Sequence, residues 1–122
     1  MNTVIVVDDN RDITDIVKAI LEVKGHRVIC AHSGPELFSR LVEQKPDLIF
    51  LDIMMPGMDG FEVLKQLRDT PNTSAIPVIL LTAKGQDEDV LKGYKEGADY
   101  YISKPFIGTQ LLTGINLVLG QS

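Results

Sequence analysis

The chain has 122 residues, 44% of them hydrophobic and 24% charged, with a net charge of −5. These proportions predict one globular domain over residues 1–122 and exclude disorder, collagen-like repeats and low-complexity sequence. The acidic balance excludes nucleic-acid binding by bulk positive charge, so no direct nucleic-acid partner is expected.

The first apolar run, Thr3–Val7, is β-branched and nearly continuous, as in a strand buried on both faces. A helix follows, with Ile13, Ile16, Val17, Ile20 and Leu21 on one face and Gly25 just past its end. Val28–Ala31 is the second strand. Pro35 suits the first turn of a second helix, whose stripe is Leu37, Phe38, Leu41 and Val42. Leu48–Leu51 is the third strand. Asp59 or Gly60 opens a third helix bearing Val63, Leu64 and Leu67. Val78–Leu81 is the fourth strand, and Val90, Leu91, Tyr94 and Ala98 form a weaker fourth stripe closed by Gly97. Tyr100–Ile102 is the fifth strand, followed by Leu111, Leu112, Ile115, Val118 and Leu119 on a fifth helix. Gly93 and Gly114 weaken the last two helices by roughly 0.5–1 kcal/mol each relative to Ala.

Five strand–helix repeats predict an α/β fold, a doubly wound five-stranded parallel sheet with helices on both faces. No apolar run approaches the ~20 residues of a membrane helix, so no membrane partner is expected. Met1-Asn2-Thr3 lacks a basic stretch, and Cys30 has no intramolecular partner. Both fit a cytoplasmic, reducing compartment. The chain ends directly after the fifth helix, so no output domain is expected within it.

Ligands of an open parallel sheet bind outside the carboxyl ends of its strands. Asp8 and Asp9 follow the first strand, Asp52 stands at the end of the third, Thr82 at the end of the fourth, and Lys104 follows the fifth. Three carboxylates that close resist ionisation unless a cation offsets them. All-oxygen donors suit Mg²⁺ or Mn²⁺, and His26, Cys30 and His32 lie on the wrong part of the chain for zinc. An aspartate carboxylate can attack a phosphoryl group and form an acyl phosphate. Asp52 on a central strand suits the nucleophile, Asp8 and Asp9 the metal, Lys104 and Thr82 the phosphoryl oxygens.

Ordinary readings exist for each residue. Asp8 or Asp9 also suits the cap of the first helix, as does Asn10. Thr82 suits any strand end and Lys104 any solvated surface. Met54, Met55 and Met58 read as loop packing rather than a cofactor site, Cys30 as a small buried hydrophobe, and His26 and His32 as exposed loop residues. The combination outweighs the separate ordinary readings.

Four segments, Val6-Val7-Asp8-Asp9-Asn10, Leu51-Asp52 through Asp59-Gly60, Leu81-Thr82-Ala83 and Lys104-Pro105-Phe106, together resemble the receiver domain of two-component response regulators. The resemblance implies the flavodoxin-like strand order 2-1-3-4-5. It implies phosphorylation of Asp52 by a sensor histidine kinase or phosphotransfer protein, with Mg²⁺ held by Asp8, Asp9, Asp52 and the Met54 backbone carbonyl. Thr82, Lys104 and the Ala83 backbone would contact the phosphoryl group, and the bond from Lys104 to Pro105 would be cis. Thr82 and Tyr101 would act as the switch that reshapes the face of the fourth helix, fifth strand and fifth helix. A downstream protein target would read that face, whose candidates are Val90, Leu91, Tyr94, Tyr101, Ile107 and Leu111. The domain would act as a monomer or a phosphorylation-dependent dimer.

Met54 and Lys84, two residues after Asp52 and Thr82, are expected to tune the acyl-phosphate lifetime. A flavodoxin-type carrier is disfavoured, because Asp8-Asp9 would repel a flavin phosphate. A phosphohydrolase is disfavoured because Met54 stands where a general acid would be needed, so the chain is expected to be no enzyme beyond acting on itself. A degenerate receiver that binds partners without phosphorylation is the remaining alternative.

Overall fold

The structure, a computed structural model, describes residues 2–83 and 87–120. Ten elements alternate: β1 (Thr3–Val7), α1 (Arg11–Val23), β2 (Arg27–Ala31), α2 (Gly34–Glu43), β3 (Leu48–Asp52), α3 (Gly60–Asp69), β4 (Val78–Ala83), α4 (Asp87–Lys95), β5 (Tyr100–Lys104) and α5 (Gly108–Leu119). The strands form one parallel sheet in the order β2-β1-β3-β4-β5. The doubly wound fold expected from the apolar runs is the fold observed.

Each central strand feeds two cores, which is why its residues do not alternate between apolar and polar. Ile5, Val7, Ile49, Leu51 and Leu80 pack on one side with Leu37 of α2 and Val63, Leu64 and Leu67 of α3. Val4, Val6, Phe50, Ile79 and Leu81 pack on the other with Val17 and Leu21 of α1 and Leu111 and Ile115 of α5. The period-2 geometry of a strand sends successive side chains to opposite faces, so both faces must be apolar.

Local signals start the helices. Asn10 caps α1, its side chain accepting from the Asp12 amide at 2.9 Å. That removes the capping reading of Asp8 and Asp9. Asp59 caps α3 in a reciprocal box with Glu62. Gly60, the first residue of α3, is forced to be small: a Cβ there would lie 2.4 Å from the Asp52 carbonyl oxygen and 2.6 Å from Ile53 Cα. Its amide donates to the Ile53 carbonyl at 2.9 Å.

Several expectations need correction. Strand β5 runs on through Lys104, which ends the strand rather than following it, and β4 runs one residue past Thr82 to end on Ala83. Leu111 is fully buried in the α1–α5 core and is not part of an exposed face. Val42 and Ile16, read as core stripe, are exposed, because the sheet covers only part of each helix circumference. His26 and His32 are half-buried, with partners rather than solvent. His26 Nδ1 accepts from the Asn2 amide at 3.3 Å. His32 bridges Thr14 Oγ1 at 3.0 Å and Glu36 Oε1 at 3.1 Å, joining α1 to α2. Cys30 is half-buried rather than buried; partial burial pushes its thiol pKa up. Gly93 weakens α4 only in isolation. In the fold it lets α4 approach β4, where a Cβ would fall 2.2 Å from Leu80 Cδ1.

Candidate phosphoacceptor and metal site

Two strand ends bring the acids together and a third brings the lysine. Asp8 leaves β1 1% exposed, its amide donating to the Ala31 carbonyl of β2 at 3.1 Å. Asp52 ends β3 3% exposed. Asp9 is exposed beside them, and one carboxylate oxygen from each of Asp8, Asp9 and Asp52 lies within 4.8 Å of the others. Lys104, at the end of β5, reaches across the sheet to this group. Its Nζ lies 2.6 Å from Asp8 Oδ2 and 3.3 Å from Asp52 Oδ1. Backbone amides complete the carboxylates: Asn10 donates to Asp8 Oδ1 at 3.0 Å and Met54 to Asp52 Oδ1 at 3.3 Å.

Burial and the neighbouring Asp8 charge push the Asp52 carboxyl up to about 6, against the opposing pull of Lys104 and the Met54 amide. For Lys104, burial works to lower the pKa. The hydrogen bond to Asp8 and the Asp52 charge outweigh it, leaving the ammonium above the ordinary lysine value. One ammonium thus offsets three carboxylates, and the cluster retains an unbalanced negative charge. The donors are all oxygens and suit a hard divalent cation.

Thr82, on β4 beside β3, is 1% exposed, and its Oγ1 has no hydrogen-bond partner among the described residues. A buried hydroxyl without a partner is costly, so a group that accepts from it is favoured there. Ala83 follows, with its side chain exposed. The Lys104–Pro105 bond is cis, as expected. Lys84 lies outside the described residues.

Met54 corrects the reading of the three methionines as loop packing. Met55 is 7% exposed and Met58 half-buried, both against the α2–α3 core, but Met54 is 65% exposed. Alternation along the loop after β3 turns its thioether outward. Tyr101 stands outward on β5, 37% exposed, with its ring edge-on to Tyr94 of α4 at 6.0 Å and 82°. Leu91, Tyr94 and Ile107 are also exposed on this side, and Val90 is half-buried.

Sequence reasoning missed two features. The shortest contact of Lys104 is with Asp8 rather than with Asp52, a choice of partner that spacing cannot reveal. Gly60 fits the closest backbone approach at the site, whereas the sequence offered it only as a residue opening the third helix.

The response regulator receiver domain family matches residues 4–116. The chain belongs to that family. As a receiver domain it is similar to the transcriptional regulatory protein CpxR of Escherichia coli, 42% identical over the whole chain and 51% of that protein. The phosphate regulon transcriptional regulatory protein PhoB of Pseudomonas aeruginosa is 38% identical over 96% of the chain and 51% of its own length. The chain therefore spans about half the length of these curated relatives. Among solved structures, a chemotaxis response regulator of Vibrio cholerae superposes with a TM-score of 0.90 at 31% identity, covering 97% of this chain and 98% of that one. The receiver domain of NtrX from Brucella abortus gives 0.90 at 30% identity, covering 98% and 99%. No helix among the described residues is long and apolar enough to cross a membrane.

Proposed function

We propose that Asp52 accepts a phosphoryl group from a histidine kinase or phosphotransfer protein, and that the resulting change at Thr82 and Tyr101 alters what the α4–β5–α5 face binds. The observation that carries this reading is the meeting of three carboxylates and one ammonium at the carboxyl end of the sheet. Asp8, Asp9, Asp52 and the Met54 carbonyl would hold a Mg²⁺ or Mn²⁺ ion, whose charge offsets that of the phosphoryl oxygens.

A carboxylate oxygen of Asp52 attacks phosphorus. The bond from phosphorus to the donor imidazole nitrogen breaks, and that nitrogen keeps the electron pair and takes up a proton. With its pKa at about 6, Asp52 is mostly ionised at neutral pH and ready to attack. Lys104 moves part of its charge from Asp8 and Asp52 to a phosphoryl oxygen. Thr82 Oγ1, which has no partner among the described residues, donates to another. As Thr82 turns inward, space opens for Tyr101 to leave its edge-on contact with Tyr94. The chain acts on itself alone, and the exposed Leu91, Tyr94, Tyr101 and Ile107 supply the surface read by a downstream protein.

Intact mass after incubation with phosphoramidate, with and without Mg²⁺, tests this. The expected result is a Mg²⁺-dependent gain of one phosphoryl group that Asp52→Asn abolishes. A gain that persists in Asp52→Asn overturns the assignment of the residue. No gain in the unsubstituted chain favours a receiver that signals by binding alone.

A further inference from the structure

Three of the four methionines lie in the loop after β3, and their environments differ sharply. Met55 is buried. Met58 Sδ is wedged against Gly34, so close that a Cβ added there would meet it at 2.8 Å. Met54 is 65% exposed, and it lines an open cavity of about 470 Å³ with Met55, Pro56, Asp59, Phe61 and Lys92. Its backbone amide is 3.3 Å from Asp52 Oδ1, so no other methionine in the loop combines exposure with contact to the phosphoacceptor.

We infer that Met54 is a peroxide-sensitive modification site, and that its conversion to the sulfoxide shortens the acyl-phosphate lifetime at Asp52. This rests on the phosphoacceptor reading of Asp52. A sulfur lone pair attacks one oxygen of a hydroperoxide and the O–O bond breaks. The sulfur is oxidised by two electrons, and the peroxide is reduced, leaving as water from hydrogen peroxide or as an alcohol from an alkyl peroxide. No proton is gained or lost overall, and a thioether becomes a polar, chiral sulfoxide.

The thioether is a weak acceptor and offers the water that attacks an acyl phosphate almost nothing to bond to. The sulfoxide oxygen is a strong acceptor placed two residues from Asp52. It can hold and polarise that water, so hydrolysis gains a hydrogen bond that the reduced side chain does not supply. One ordinary hydrogen bond gained in the transition state corresponds to roughly a fivefold faster loss. Because sulfoxide reductases reverse the modification, the same chemistry would make the phosphorylated state shorter-lived under oxidising conditions and restore it afterwards.

The test treats the full chain with hydrogen peroxide and follows each methionine by peptide mass mapping. Treated and untreated protein are then loaded with phosphoramidate and Mg²⁺, the donor is removed, and loss of the phosphoryl mass is timed. The sulfoxide is expected at Met54 ahead of Met55 and Met58. Treated protein should lose phosphate about fivefold faster, methionine sulfoxide reductase should restore the slow rate, and in Met54→Leu peroxide should leave the rate unchanged. Oxidation of Met55 or Met58 as fast as Met54 overturns the proposal, as does an equal decay rate in treated and untreated protein. If untreated protein takes up no phosphoryl group, the phosphoacceptor reading fails first and this inference falls with it.

Discussion

Asp52 is ionised at neutral pH in a place that does not favour its charge. Its carboxyl is raised from 3.8 to about 6, so between those values the folded state holds a proton that the unfolded state has released. Stability therefore falls as pH rises through this window, and the cost is constant above it. A shift of that size corresponds to at most about 3 kcal/mol. Asp52→Asn removes the charge and keeps the shape. In metal-free buffer at pH 8 it should raise the free energy of urea unfolding by roughly 1–3 kcal/mol, and the gain should vanish as pH falls to about 4. A gain that does not depend on pH would mean that the charge of Asp52 is not what strains the site. This sequence showed which acids would meet, because each follows or ends an apolar run. It did not show that Lys104 sits closer to Asp8 than to Asp52, since that is decided by side-chain reach across three strands.

The elements were legible where burial alone defines them. The doubly buried strands β1, β3 and β4 are apolar through Val4–Val7, Leu48–Leu51 and Val78–Leu81, and the stripes of α1 and α3 repeat at helical spacing. Helix α4 was the weakest reading, because Leu91 and Tyr94 face solvent while its closest approach to the sheet uses a glycine. That contact reverses the usual rule. Gly→Ala within a helix ordinarily stabilises by about 0.5–1 kcal/mol. Here the new methyl would meet Leu80 Cδ1, so Gly93→Ala should instead cost roughly 1–3 kcal/mol in denaturant unfolding. A stabilised variant would show that α4 can slide away from β4 without penalty. Arg68 was equally hidden. It leaves α3 to donate to the carbonyls of Ser74, Ile76 and Gly97 and to pair with Asp99, 31 residues on. Asp99 in turn accepts from the Val78 amide at the start of β4. No local pattern links residues that far apart, yet this one guanidinium ties α3 to both turns that lead into β4 and β5. Arg68→Met keeps the stem but leaves several carbonyls without a donor, and should cost roughly 2–4 kcal/mol by urea unfolding. A loss below about 1 kcal/mol would mean that water replaces the guanidinium at these carbonyls.

Across the whole molecule, the net charge of −5 includes three carboxylates at one edge of the sheet, with Lys104 the one cationic side chain paired with them among the described residues. A divalent cation bound there would favour the folded state, because only the fold brings Asp8, Asp9 and Asp52 to within 4.8 Å of one another. Binding to the folded state alone stabilises by about 2.7 kcal/mol when the ion is at a hundred times its dissociation constant. The effect should have the same sign as the charge relief at Asp52, and the two should overlap. Mg²⁺ should raise the thermal midpoint of the unsubstituted chain, whereas Asp52→Asn, already relieved of repulsion, should gain less. Asp9→Asn separates the two contributions. Its carboxylate is exposed, so its loss should change metal-free stability by only about 0.5 kcal/mol, yet it should remove most of the Mg²⁺ response. Calorimetric scans of the three proteins with and without Mg²⁺ test this directly. If Asp9→Asn responds to Mg²⁺ as fully as the unsubstituted chain, the ion is not held by this trio, and general screening of the acidic surface accounts for the stabilisation.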